Sequence, residues 1–167
     1  IGCDRQSSRN SVLLAGQFGF VWAAVGIHPH SATELDEDAL EELRRLAAHP
    51  RVVAIGEIGL DYHYDFSPHE SQVQAFERQL TLANELDLPV VIHTREATEP
   101  TLELLRRYRP RGVVHCFTGS REVAREILSL GMYLGYTGAV TFKGAKRVVG
   151  SVEATPLDRL LLETDCP

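Results

Sequence analysis

Long apolar runs and a disulfide framework are both missing from this sequence of 167 residues. No stretch of about 18 consecutive apolar residues is present, so we expect no membrane-spanning helix. We expect no secretory segment, because Ile1 begins directly in mixed sequence. The three cysteines, Cys3, Cys116 and Cys166, are irregularly spaced, which argues against a disulfide framework. These absences predict a protein of the reducing cytoplasm.

The chain also lacks an excess of basic residues. Its 17 lysines and arginines are outnumbered by 23 aspartates and glutamates, and the formal net charge is −6. Proteins that coat nucleic acid through a broad electrostatic surface are usually basic, so that class is disfavoured. A nuclease is disfavoured less, because bound cations and a few arginines can hold phosphates locally.

Short apolar runs alternate with amphipathic helical stretches along the chain. The hydrophobic content of 44% is enough for one sizeable core, so we expect a single domain over residues 1–167. The apolar runs are nearly continuous in Val, Ile and Leu, which is typical of parallel strands buried on both faces. The predicted strands are Trp22–Ile27, Val52–Ile58, Pro89–Ile92, Gly112–Phe117, Met132–Tyr136 and Leu160–Glu163.

Helix start signals stand between these strands. Asp36 and Ser120 are predicted caps, and Ser67-Pro68 predicts a helix with Ser67 as its cap and Pro68 in its first position. Further helices are predicted over Thr101–Tyr108 and between Lys143 and Glu153. The alternation indicates an α/β fold, either a Rossmann-type sheet or a (β/α)8 barrel. No GxGxxG motif follows a strand, which disfavours the Rossmann sheet.

Four polar residues lie in or just after predicted strands: Glu57, His93, His115 and Asp165. A strand-helix-strand unit takes roughly 30 residues, so they fall on the ends of different strands. In a parallel barrel these ends converge on one rim, where the active site lies. Two imidazoles and two carboxylates suit Zn, Mn or a similar divalent ion and support hydrolysis. Taken singly, each residue is more simply a helix cap, a loop hydrogen-bonding group or a structural histidine.

At these residues the sequence resembles the TatD family of metal-dependent deoxyribonucleases. The matching stretches, in the family's order, are AVGIHPH (24–30), AIGEIGLDYH (54–63), PVVIHTREA (89–97), VVHCFTGS (113–120) and LLETDCP (161–167). The resemblance implies a (β/α)8 TIM-type barrel, one or two divalent metal ions (Mg, Mn or Zn) and hydrolysis of phosphodiester bonds in DNA. DNA, as single strands or frayed ends, is the expected substrate; neither a membrane nor an obligate protein partner is expected.

The resemblance also implies roles for single residues. Glu57 matches a catalytic carboxylate that bridges two metals, and His93 and His115 match ligands of the second metal. Asp165 matches a ligand of the first metal that also orients the attacking water. Among the substrate-binding positions, His28 and His30 match a pair near the substrate, and Arg95 matches a position facing a phosphate.

One element of the family's pattern is missing. The family begins with a strand that ends in Asp-x-His-x-His, and this chain contains no such motif. We therefore expect a barrel lacking strand one and the last helix, with Ile1–Cys3 as a remnant of strand two. Two alternatives stay open: an amidohydrolase-type enzyme acting on a small ester, amide or phosphotriester, and a degenerate barrel without catalysis.

Overall fold

Six parallel strands form one sheet in chain order in the computed structural model, which describes residues 1–165. Cys166 and Pro167, the end of the LLETDCP stretch, lie outside the described residues. Every predicted strand is present, with its ends shifted by a few residues. The strands are β1 (Ala23–Val25), β2 (Val52–Asp61), β3 (Val90–Arg95), β4 (Gly112–Val114), β5 (Tyr133–Tyr136) and β6 (Leu160–Leu162).

Helices separate the strands in the order of a TIM-type barrel, which confirms the predicted α/β class. The α-helices are α1 (Arg5–Gln17), α2 (Glu37–Ala47), α3 (His69–Glu85), α4 (Thr98–Tyr108), α5 (Arg121–Ser129) and α6 (Lys146–Ala154). Short 3-10 helices cover Pro29–Glu34, Gly138–Thr141 and Leu157–Arg159. None of the helices within residues 1–165 is long and apolar enough to cross a membrane.

Two of the three predicted helix caps are confirmed. Asp36 accepts a hydrogen bond from the Ala39 N–H at 2.7 Å, and Ser120 accepts one from Val123 at 3.4 Å. The prediction for Ser67 is wrong, because α3 begins at His69 and no side chain caps it. The Ser67 hydroxyl instead donates to the backbone oxygen of His30 at 2.9 Å. The Ser67 hydroxyl, which the sequence pattern assigned to the helix cap, therefore makes a tertiary contact.

The first residues of the chain differ from the prediction. Ile1–Cys3 is not a strand, although Gly2 donates to the Ala24 oxygen at 2.9 Å and Cys3 accepts from the His28 N–H at 2.8 Å. The α1 helix that follows was not predicted. It begins with a reciprocal cap, in which Asp4 accepts from the Ser7 N–H and the Ser7 hydroxyl accepts from the Asp4 N–H. This segment lies beside β1.

The apolar core fills the space between the sheet and the helices. Ile58 and Ile92 on the strands and Phe76, Leu80 and Leu105 on the helices are fully buried. This packing fixes the strands against one another and holds the side chains at their carboxyl ends in place.

Gly59 of β2 pairs with His93 of β3. Its φ is +144°, and a Cβ there would stand 1.9 Å from the backbone oxygen of His93. We expect Gly59→Ala to lower the free energy of unfolding by roughly 4 kcal/mol or more, because both the backbone conformation and the contact exclude a side chain. Urea titration would measure the change.

Gly138 supplies the matched control for this substitution. A Cβ at Gly138 meets nothing within 4 Å, and its φ is not in the positive region. Gly138→Ala should therefore leave stability unchanged within about 0.5 kcal/mol. Equal stability of the two variants would show that β2 and β3 are not packed as described.

Candidate metal centre

Polar side chains gather near the carboxyl ends of β2, β3 and β4. Glu57 and Asp61 lie on β2, His93 lies on β3, and His115 directly follows β4. Because the strands are parallel, their carboxyl ends lie at the same edge of the sheet. The side chains of three different βα units therefore meet there.

Glu57 is the centre of the cluster. Its Oε1 atom lies 2.8 Å from Nε2 of His115, 3.1 Å from Nδ1 of His93 and 3.4 Å from Nε2 of His28. Glu57, His93 and His28 each offer a ligand atom, and these atoms lie within 4.8 Å of one another. Two imidazoles and a carboxylate at this separation suit a divalent cation of the zinc or manganese type.

Hydrogen bonds keep the Glu57 carboxyl ionised. Burial raises the pKa of Glu57, but the hydrogen bonds from His115, His28 and His93 outweigh burial and hold it well below its usual range. Burial lowers the pKa of His28. The pKa of His115 is raised to about 10, because hydrogen bonds to Glu163 and Glu57 outweigh the opposing effect of burial. An imidazole binds a metal only when neutral, so a cation held by His115 would have to displace a proton.

Asp61 supports His93 from the side away from Glu57. Its Oδ2 atom lies 3.0 Å from Nε2 of His93 and 3.0 Å from Nε2 of His30, and the side chain is 1% exposed. Burial raises the pKa of Asp61, but hydrogen bonds from the Tyr64 N–H and from the two histidines lower it to about 2. When Asp61 accepts the Nε2 proton of a neutral His93, Nδ1 is left with a lone pair that a cation beside Glu57 would bind. Metal-binding histidines are commonly oriented by a carboxylate in this way.

Glu163 lies next to His115 in the same way that Asp61 lies next to His93. Its Oε2 atom lies 3.7 Å from Nδ1 of His115, and its Oε1 atom accepts from the Cys116 N–H at 2.5 Å. Burial raises the pKa of Glu163, but the interactions with His115 and Cys116 lower it. Each of the two strand-end histidines, His93 and His115, is therefore placed between Glu57 and a second carboxylate.

A cavity of about 560 Å³ opens in front of this cluster. Its walls include six of the seven residues singled out in the sequence: His28, His30, Glu57, His93, Arg95 and Asp165. The seventh, His115, reaches the same place through its contact with Glu57. Arg95 also lines a neighbouring cavity of about 290 Å³, together with Arg147 of α6 and Thr118. The two cavities thus share Arg95 as a wall residue.

The structure places the predicted residues at different depths. Glu57, His93 and His115 are in direct contact, whereas Asp165 is exposed and lies on the cavity wall. His28, which the resemblance places near the substrate, lies beside Glu57 as a third imidazole. His30 contacts Asp61 rather than Glu57.

Sequence reasoning missed Asp61 and Glu163. Asp61 lies in the GLDY stretch at the end of a strand, and Glu163 lies two residues before Asp165. Both are strand-end carboxylates, the signal that identified Glu57. The sequence does not show in which direction each carboxylate points.

The fold and the site together define a class: an α/β barrel-type protein whose strand ends carry clustered histidines and carboxylates suited to hold a divalent metal. The profile of the family described as TatD related DNase matches residues 1–167. The chain belongs to this family. The resemblance stated from its motifs is therefore confirmed.

Related proteins agree with this assignment. The chain is 45% identical to the "uncharacterized metal-dependent hydrolase YabD" of Bacillus subtilis, over 100% of this chain and 67% of that protein. It is 44% identical to the "3'-5' ssDNA/RNA exonuclease TatD" of Pantoea vagans, over 99% of this chain and 66% of that protein. The crystal structure of YJJV, a TatD homologue from Escherichia coli K12, superposes with a TM-score of 0.92 at 34% identity, covering 99% of this chain and 66% of that one. The chain thus spans about two thirds of the length of these relatives.

Proposed function

We propose that this protein hydrolyses phosphodiester bonds of single-stranded DNA at a divalent metal centre built on Glu57. The observation that carries the proposal is the position of the Glu57 Oε1 atom. Three imidazole nitrogens, from His115, His93 and His28, lie 2.8–3.4 Å from it. An ionised carboxylate surrounded by imidazoles is a preformed donor set for a cation such as Zn²⁺ or Mn²⁺.

The residues around the cluster suit the roles that hydrolysis requires. A bound divalent cation acidifies water and neutralises charge on phosphate oxygens. Glu57, His93, His115 and His28 would hold the cation, one or two per chain, and Asp165 on the cavity wall would complete the set. As the water oxygen attacks phosphorus and the P–O bond to the leaving group breaks, Asp165 accepts the proton of the water. The Arg95 guanidinium, in the same cavity, holds a phosphate of the strand.

DNA is favoured over a small substrate by the relatives and by the open site. The relative from Pantoea vagans bears the name of an exonuclease of single-stranded DNA and RNA. Arg95 lines both the cavity in front of Glu57 and the neighbouring cavity, which suits a substrate that extends beyond one phosphate. We also propose a cytoplasmic location, as expected from the irregularly spaced cysteines, and fractionation of cells would test it.

The test is a hydrolysis assay with the full-length gene product stripped of metal and then supplied with Mg²⁺, Mn²⁺ or Zn²⁺. We expect cleavage of end-labelled single-stranded DNA with metal, none after chelation, and little turnover of small esters, amides or phosphotriesters. Turnover of a small ester without cleavage of DNA would instead favour the amidohydrolase-type alternative. No metal-dependent hydrolysis of any substrate would favour a barrel without catalysis.

A further inference from the structure

Two aromatic side chains lie exposed in the loop between β2 and α3. The rings of Tyr64 and Phe66 are stacked, with centroids 5.3 Å apart and planes inclined by 22°. Tyr64 is 40% exposed and Phe66 is 65% exposed. Large aromatic surfaces left in water next to a polar site commonly mark a binding surface. We call this pair the aromatic platform.

The platform is joined to the metal centre through His30. The His30 ring meets both platform rings edge-on, at 5.5 Å from Tyr64 and 4.9 Å from Phe66. Nε2 of His30 lies 3.0 Å from Asp61, the carboxylate that orients His93. One side chain therefore separates the platform from the residues around the candidate metal.

Hydrogen bonds to the Asp61 side chain fix the loop that carries the platform. The Asp61 Oδ1 atom accepts from the N–H groups of His63 at 2.9 Å and Tyr64 at 3.1 Å. Asp61 is itself buried, so this anchor belongs to the core of the site. The platform is thus held in a defined position, and binding to it requires little ordering of the loop.

A positive charge accompanies the aromatic surface. The Arg95 guanidinium carbon lies 4.9 Å from the centroid of the Tyr64 ring, and Arg95 also lines the cavity in front of Glu57. Aromatic faces with a neighbouring guanidinium are the combination that binds single-stranded nucleic acid, with bases stacked on the rings and phosphates held by the cation. An apolar protein partner would not need the arginine or the adjoining hydrolytic site.

We propose that the aromatic platform stacks an unpaired base of the strand whose phosphate lies in the metal centre. This inference rests on the proposed function and identifies the residues that select the substrate. Within a duplex each base is already stacked and paired, so only the bases of single strands and frayed ends can stack on the platform. Tyr64 and Phe66 would therefore determine the preference for unpaired strands.

The test compares wild type and Phe66→Leu in the full-length, Mn²⁺-loaded protein. The substrates are one single-stranded oligonucleotide and a series in which an abasic site replaces a single base at successive positions. We expect Phe66→Leu to raise KM for the intact strand roughly 5- to 100-fold, the range for loss of one base–aromatic stack, with kcat nearly unchanged. At one abasic position the wild type should show the same rise, and Phe66→Leu should add nothing further there.

Two further variants separate stacking from other effects. Phe66→Trp keeps a large aromatic face and should retain the low KM. Phe20 is also exposed, at 83%, but it precedes β1 and therefore lies at the opposite end of the sheet. Phe20→Leu should leave KM for the intact strand unchanged.

A 2-aminopurine at the sensitive position should lose fluorescence on binding to wild type and lose less on binding to Phe66→Leu.

The outcomes distinguish this inference from the proposed function. If wild type cleaves the intact strand and Phe66→Leu has the same KM, the inference is overturned and the function stands. The same conclusion follows if the effect of Phe66→Leu persists undiminished on every abasic strand. If the metal-loaded wild type cleaves neither intact nor abasic strands, the proposed function fails, and the inference fails with it.

Discussion

Glu57→Gln should reduce kcat/KM for single-stranded DNA by roughly 10³-fold or more, because the metal supplies several kcal/mol of charge stabilisation in hydrolases of this kind. The substitution keeps the shape of the side chain but removes the charge that faces His115, His93 and His28. We expect bound metal, measured by atomic emission on the dialysed full-length protein, to fall together with activity.

An exposed glutamate provides the control for Glu57→Gln. Glu70 lies in the first turn of α3 and is exposed, so Glu70→Gln should retain full metal content and activity. A Glu57→Gln protein that keeps its metal and more than about a tenth of its activity would remove Glu57 from the centre of the mechanism.

Asp165→Asn should lower kcat at saturating metal by roughly 10²- to 10⁴-fold, the range for loss of a general base. The amide fills the same space on the cavity wall but cannot accept a proton from water. KM should change much less than kcat, because the lost interaction belongs to the transition state. Single-turnover kinetics on a labelled strand would separate this effect from product release.

Asp158 supplies the comparison for Asp165. It is an exposed aspartate in the 3-10 helix Leu157–Arg159, and Asp158→Asn should leave kcat unchanged. An unaltered kcat in Asp165→Asn would assign the proton transfer to another group of the site.

The strands and two of the helix starts could be predicted because their signals are local. A buried parallel strand is a run of apolar residues, and Asp36 and Ser120 cap the helices that directly follow them. The α1 helix escaped prediction because its apolar face is weak: Ser8 and Ala15 are buried, while Leu13 and Leu14 are exposed. Helices of this kind are stabilised by their tertiary surroundings more than by their own pattern.

The residues that meet at the strand ends could also be predicted from the sequence, but the contacts between their side chains could not. Parallel topology brings strand ends together, so Glu57, His93 and His115 could be expected to meet. The side-chain directions depend on packing around each residue. Asp61 orients His93 and Glu163 contacts His115, but the strand-end positions of these two carboxylates do not show which histidine each one contacts.

The most direct test of a metal centre on Glu57 is anomalous diffraction from crystals of the full-length protein grown with Zn²⁺. The structure predicts an anomalous peak about 2.0–2.2 Å from a Glu57 carboxylate oxygen and from a ring nitrogen of His93. Bound zinc whose ligands do not include Glu57, or no peak in this cavity at saturating zinc, would contradict it.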